Sequence, residues 1–179
     1  MTNQKQTYFG RVAVRILAIV ISLVLSGCGY HFKGAGLKAP EGIEAIAIIV
    51  LENDTSESGI ESVFTGDLIY EFTRSKVVRV VSEAKADASL RGRITSLDVK
   101  TISHTTTYNS SVRRVAVKVD LSLKRVDGKV IWSTQGLSDN EPFDVSDNKL
   151  TTESNRRAAI EVISERLAEK VHNRIFQDF

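Results

Sequence analysis

Cysteine is almost missing from the 179-residue chain: Cys28 stands alone. That excludes an internal disulfide framework and any zinc cluster built on several thiolates. Charge of one sign is missing as well. The formal net charge is +2, but Lys5, Arg11 and Arg15 fall in the first 27 residues, which hold no acid. Residues 28–179 therefore carry 21 basic and 22 acidic side chains, which excludes a strongly basic nucleic-acid binder. Catalytic signatures are lacking too. There is no G-x-S-x-G, no phosphate-binding loop, and no histidine beside a plausible nucleophile. His31, His104 and His172 have no second ligand at helical spacing, so neither a metal nor another cofactor is expected. Paired carboxylates occur only on a charged helix face or in turns, and the chain reads as a non-enzyme. Charged residues at 26% and apolar residues at 42% set it apart from low-complexity disorder.

What is present begins with a cationic leader and the ten-residue apolar run Ile16–Leu25. A spanning helix needs about 20 apolar residues, so this run fits the core of a secretory signal instead. It ends in Leu25-Ser26-Gly27-Cys28, which resembles the lipobox of bacterial lipoproteins. The resemblance implies removal of residues 1–27 and a diacylglycerol thioether on Cys28. Each acyl CH₂ is worth about 0.8 kcal/mol in a bilayer, so two or three chains anchor the protein. Glycine rather than aspartate at position 29 implies sorting to the outer membrane by the enteric rule. Residues 28–42 read as a glycine-rich tether, and 43–179 as a single α+β domain.

Within that domain Ile43–Leu51 is almost continuously apolar and predicts a strand buried on both faces. Ser58 and Glu61 have the spacing of a capping box. The helix after it carries Ile60, Phe64, Leu68 and Phe72 on one stripe with Val63 alongside. Val77–Val81 predicts a short strand. Ser89–Ile102 predicts a longer one, in which Leu90 and Ile94 share one parity and Leu97 and Val99 the other. Such a phase change predicts a bulge near Thr95-Ser96. Val115, Val117, Val119, Leu121 and Leu123 alternate strictly with Arg114, Ala116, Lys118, Asp120, Ser122 and Lys124, the pattern of a half-buried strand. Asp127-Gly128 predicts a two-residue hairpin turn, with Leu123 opposite Trp132. Ser138–Leu150 is polar, contains Pro142 and reads as a loop. Thr151 or Thr152 is then expected to cap a helix with Ile160, Ile163, Leu167, Val171 and Ile175 on its buried stripe and a solvated charged face.

These elements predict a two-layer α+β sandwich, a mixed sheet of about four strands with two helices packed on one face. The other face is left open. If even positions of the period-two strand point there, Arg114, Lys118 and Lys124 share that face with Arg91 and Arg93 of the preceding strand. Five cations so placed form either an ordinary solvated surface or a phosphate-binding patch, in which arginines bond in bidentate fashion.

Cys28-Gly29-Tyr30-His31-Phe32-Lys33-Gly34 resembles the mature start of the LPS-assembly lipoprotein family, LptE. The likeness continues through Ile46–Leu51 with Glu52-Asn53-Asp54-Thr55, through Glu71-Phe72-Thr73-Arg74-Ser75, through Ala86–Ile94 and through Gly128-Lys129-Val130-Ile131-Trp132. It implies two helices on a four-stranded sheet and no catalysis. It also implies a plug inside the large outer-membrane β-barrel LptD, which helps to assemble the barrel and to deliver lipopolysaccharide to the outer leaflet. A periplasmic lipoprotein that regulates a cell-wall synthesis enzyme is the alternative, with the same anchor and a similar small domain.

Overall fold

A computed structural model describes residues 38–105 and 110–177. The chain forms β1 (Ala45–Ile48), β2 (Glu52–Asn53), α1 (Ile60–Ser75), β3 (Arg79–Val80), a 3-10 turn at Glu83–Lys85, β4 (Ala88–Thr105), β5 (Ser110–Arg125), β6 (Val130–Val145) and α2 (Lys149–Gln177). One sheet holds all six strands in the order β3-β1-β4-β5-β6, with β2 paired to β4 just past the end of β1. β1 runs parallel to β3 and to β4, and β2 is parallel to β4. β4, β5 and β6 form an antiparallel meander. The α+β class is as expected, but the sheet has six strands rather than about four. The extra strands β2 and β3 are two residues long, too short for any period to mark them.

The two helices pack on one face over a continuous core. From α1 it takes Ile60, Phe64, Leu68 and Phe72; from α2, Ile160, Ile163, Leu167, Val171 and Ile175; from β5, the alternating valines and leucines. The helices run parallel to each other. Arg156 meets Glu57 before α1, Ser164 bonds Asp67, and His172 packs edge-on to Phe72 at 5.2 Å between ring centroids. Burial of these stripes supplies most of the helices' stability.

Several local expectations need correction. The apolar run Ile43–Leu51 is strand only over Ala45–Ile48, and Val50 turns out to solvent. Ser58 does not cap α1: the N-cap is Gly59 at φ +90°, with no side-chain bond. Half of the box survives, because the Glu61 carboxylate accepts the Gly59 N–H at 3.1 Å. Val63 lies at the exposed margin of the stripe. The β5–β6 hairpin turns through four residues rather than two. Gly128 alone has positive φ, and its N–H bonds the Arg125 carbonyl at 2.9 Å. The pairing of Leu123 with Trp132 is as expected.

The largest revision is at Ser138–Leu150, where the sequence suggests a loop and β6 continues to Val145. Leu137 and Phe143 supply its apolar contacts. Asp139 and Glu141 lie on the helix side, where Lys170 and Arg166 bond them at 2.8 and 2.6 Å. The polarity that disguised the strand is thus consumed by α2, whose charged face is not wholly solvated. Pro142 is tolerated because β6 is an edge strand. Neither Thr151 nor Thr152 caps α2. The Asn148 side chain accepts the Leu150 N–H at 2.9 Å, while the Thr152 hydroxyl accepts the Ser146 N–H at 2.9 Å.

Candidate functional site

The face of the sheet opposite the helices gathers the basic side chains. Register fixes their places. In β4 and β5, Ser89 pairs with Lys124, Arg91 with Ser122, Arg93 with Asp120, and Ser96 with Lys118. Leu90 and Ile94 of β4 and the odd positions 115–123 of β5 are buried under the helices, so their neighbours point the other way. Arg91, Arg93, Arg114, Lys118 and Lys124 therefore share the open face. All five are exposed.

A sixth cation belongs with them. The register shifts between Ile94 and Ser96, at the bulge that the phase change predicts. One extra residue reverses the parity of β4 above that point. Leu97 then faces the helices and Lys100 the open side, directly opposite Arg114. The parity break itself signals Lys100, provided that it is followed through to the end of the strand.

The six are not alike. Arg91 has a partner in Glu83, and Arg93 bonds Glu52 at 3.3 Å and Asp54 at 3.5 Å. Asp120, the nearest open-face carboxylate on β5, is occupied by the Gly136 N–H at 2.7 Å. Lys100, Arg114, Lys118 and Lys124 have no ion pair or side-chain hydrogen bond among the described residues. Like charges directly opposite on neighbouring strands destabilise a sheet. The Lys100–Arg114 pair thus carries a cost that an anion bound between them would remove.

Two grooves accompany the arginines. One, of about 310 Å³, runs past Arg91, Gly92, Arg93, Asp120 and Ser122. At Gly92 the strands leave no room for a side chain: an added Cβ would sit 2.2 Å from the Asp120 carbonyl oxygen. The other, of about 510 Å³, lies between Arg91 and Lys124 near the 3-10 turn. Among the described residues no three His, Cys, Asp or Glu side chains gather as metal ligands, and no helix is long and apolar enough to cross a membrane. Cys28 and most of the expected tether lie outside the described residues.

The remaining polar side chains in the core serve the fold. The Thr65 hydroxyl accepts the Leu51 N–H at 3.1 Å and donates to the Glu61 carbonyl at 2.6 Å. His172 is buried against Phe72 and Phe176, and its Nε2 has no partner among the described residues. Burial pushes its pKa below the usual histidine range, against the opposing pull of Asn173.

An open basic sheet face backed by two parallel helices invites comparison with known proteins. The family model described as LptE, lipopolysaccharide-assembly, matches residues 43–175. The chain belongs to the LptE family. No curated protein matches it. Among solved structures it is similar in fold to an uncharacterized lipoprotein B from Nitrosomonas europaea. That match has a TM-score of 0.54 at 12% identity and covers 84% of this chain and 92% of that one. It is also similar to a Xanthomonas campestris protein, with a TM-score of 0.57 at 9% identity over 79% of this chain and 90% of that one. At such identities the likeness is one of fold.

Proposed function

We propose that this LptE-family protein is an outer-membrane lipoprotein, acylated at Cys28, that plugs and helps to assemble an LptD-type β-barrel. In this reading it binds lipopolysaccharide on its open sheet face during delivery to the outer leaflet. It does so without catalysis and without a cofactor. Family membership favours lipopolysaccharide assembly over regulation of a cell-wall enzyme. The observation that carries the binding role is the Lys100–Arg114 pair, flanked by Lys118. Asp98 is the one carboxylate on the open face of β4 between them, and none of the three cations has an ion pair among the described residues. Lipopolysaccharide phosphates supply what the patch lacks. Arg114 and Lys118 stand roughly 13 Å apart along β5, with Lys100 on β4 beside Arg114, enough for two phosphate groups with charge-assisted bonds to each.

Arg91 and Arg93 take a lesser part, since a ligand must first displace Glu83, Glu52 and Asp54. Their ion pairs are exposed and weak, so displacement is affordable but not free. Lys124 stands apart at the lower end of β5, beside the larger groove.

The test of the whole reading is copurification. Tagged full-length protein, extracted from outer membranes in mild detergent, should bring down a β-barrel of outer-membrane size. Depletion of the protein should reduce surface lipopolysaccharide. A stable preparation without any barrel, together with unaltered surface lipopolysaccharide after depletion, would overturn it.

A further inference from the structure

The chain enters the domain at one pole of the sheet. Pro40 and Ile43 are already buried, and Ile43 donates its N–H to the Pro40 carbonyl at 3.0 Å. Arg125, the last residue of β5, donates from its guanidinium to the Glu41 carbonyl at 2.7 Å. The point of entry is thus tied to the β5–β6 hairpin. Lys38 follows Cys28 by ten positions. A chain of that length spans no more than about 36 Å, whatever its conformation. β5 has 16 residues and is about 50 Å long at strand rise. The far pole, where β6 ends and Leu150 is exposed, therefore lies beyond the tether's reach, while the hairpin lies within it.

The hairpin tip is held firmly and yet presents apolar side chains. Arg125 donates its N–H to the Lys129 carbonyl and Gly128 to the Arg125 carbonyl, each at 2.9 Å, and Val126 donates to the Asp87 carbonyl at 3.1 Å. So fixed, Val126 is 77% exposed and Val130 50%. Lys38, Lys85 and Lys129 stand around them, exposed and without an ion pair among the described residues. The carboxylates nearby are mostly engaged. Asp87 accepts the N–H groups of Glu44 and Ala45, Asp127 accepts that of Lys129, and Glu83 holds Arg91. Glu41 and Glu44 are the exceptions. A valine tip ringed by lysines suits a layer of lipid headgroups: the apolar side chain enters, and the long lysine stems lie along it with their ammonium groups at the phosphates.

We propose that the β5–β6 hairpin rests on the phospholipid leaflet that holds the anchor at Cys28, with Val126 in the headgroup layer and Lys38, Lys85 and Lys129 against lipid phosphates. The inference rests on the anchor proposed above and adds a second, non-covalent contact to it. Held within about 36 Å of the leaflet, the hairpin meets lipid at high effective concentration. Side chains too weak to bind a vesicle alone then suffice to set the orientation. The sheet stands on its lower end, and Lys100, Arg114 and Lys118 in its upper half stay clear of the leaflet and open to lipopolysaccharide.

The test exchanges the acyl groups for another anchor, so its outcome does not turn on acylation, which the mass of the natural N-terminus decides separately. Residues 28–179 contain the whole hydrophobic core found among the described residues. With Cys28→Ser and an N-terminal polyhistidine tag, they are held by a nickel-chelating lipid on vesicles of phosphatidylethanolamine and phosphatidylglycerol. A fluorophore on Asp127→Cys at the hairpin tip, or on Leu150→Cys at the far pole, reports quenching by a lipid with a nitroxide headgroup. The tip should be quenched at least about threefold more strongly than the far pole. Val126→Asp should lower quenching at the tip by about half. It should leave the melting temperature unchanged, because the side chain is exposed. Equal quenching at the two positions, stronger quenching at the far pole, or quenching at the tip that Val126→Asp does not change would each overturn the proposal.

Discussion

Below Ile94, β4 is flanked by strands on both edges, and its two arginines have carboxylate partners in Glu83, Glu52 and Asp54. Above Ser96 the same strand has β5 on one side only among the described residues, and its lysine stands opposite an arginine. The lower half closes its hydrogen bonds and its charges within the chain; the upper half leaves both open. A single-residue bulge divides them. The contrast teaches where to look for function in a small sheet protein. Charge neutralised by neighbouring elements belongs to the fold, whereas charge set against like charge in an exposed register implies a ligand.

The largest effect is expected in the core beneath the helices. Phe72 is fully buried against His172 and Phe176. Phe72→Ala should cost about 4 kcal/mol in chemical denaturation. Gly92→Ala forces a Cβ against the β5 backbone and should cost about 2 kcal/mol in the same measurement. Arg156→Ala removes a two-bonded ion pair to Glu57 at 2.8 and 3.0 Å that ties α2 to the entry of α1. A loss near 2 kcal/mol is expected there as well, at roughly the level of a charged hydrogen bond.

Acid should act on the lower half through His172. Burial holds its pKa below that of the unfolded chain. Glu71 and Glu169 face it and oppose the shift, while Arg74 reinforces it. The unfolded chain therefore takes up a proton first as pH falls. Stability is whole above about pH 6.5 and declines below it, by at most about 1.4 kcal/mol per pH unit for one proton. His172→Phe should flatten melting temperature against pH between 7.5 and 5.5. A slope equal to that of the wild type would assign the dependence to other groups.

The upper half should respond in the opposite sense. Lys100→Glu places a carboxylate opposite Arg114 and should stabilise the fold by about 0.5 kcal/mol. The same change should weaken lipopolysaccharide binding. A residue that stabilises when removed and yet binds less would separate function from fold at that one position.

Much of this fold can be read from the residues because burial writes a period into them. The stripe Ile60, Phe64, Leu68, Phe72 and the alternation from Val115 to Leu123 each face a single core. The bulge shows as the change of parity between Ile94 and Leu97. Other parts are hidden because their cause lies far along the chain. The upper half of β6 looks like a loop until Asp139 and Glu141 meet Lys170 and Arg166, some 25 to 31 residues away. β2 and β3 are too short to carry a period at all. The same distance effect divides the basic face. Nothing local tells Arg91 and Arg93, whose partners sit in the 3-10 turn and around β2, from Arg114 and Lys118, which have none among the described residues. Lys100 is missed when the parity below the bulge is carried past it.

Lipopolysaccharide affinity of two charge-reversal variants, measured side by side at one ionic strength, tests the central claim most directly. Lys100→Glu with Arg114→Glu and Lys118→Glu should bind about a hundredfold more weakly than the wild-type chain. Arg91→Glu with Arg93→Glu should lose no more than about threefold. Equal losses in the two variants, or the larger loss at Arg91 and Arg93, would contradict the division of the open face into neutralised and free cations.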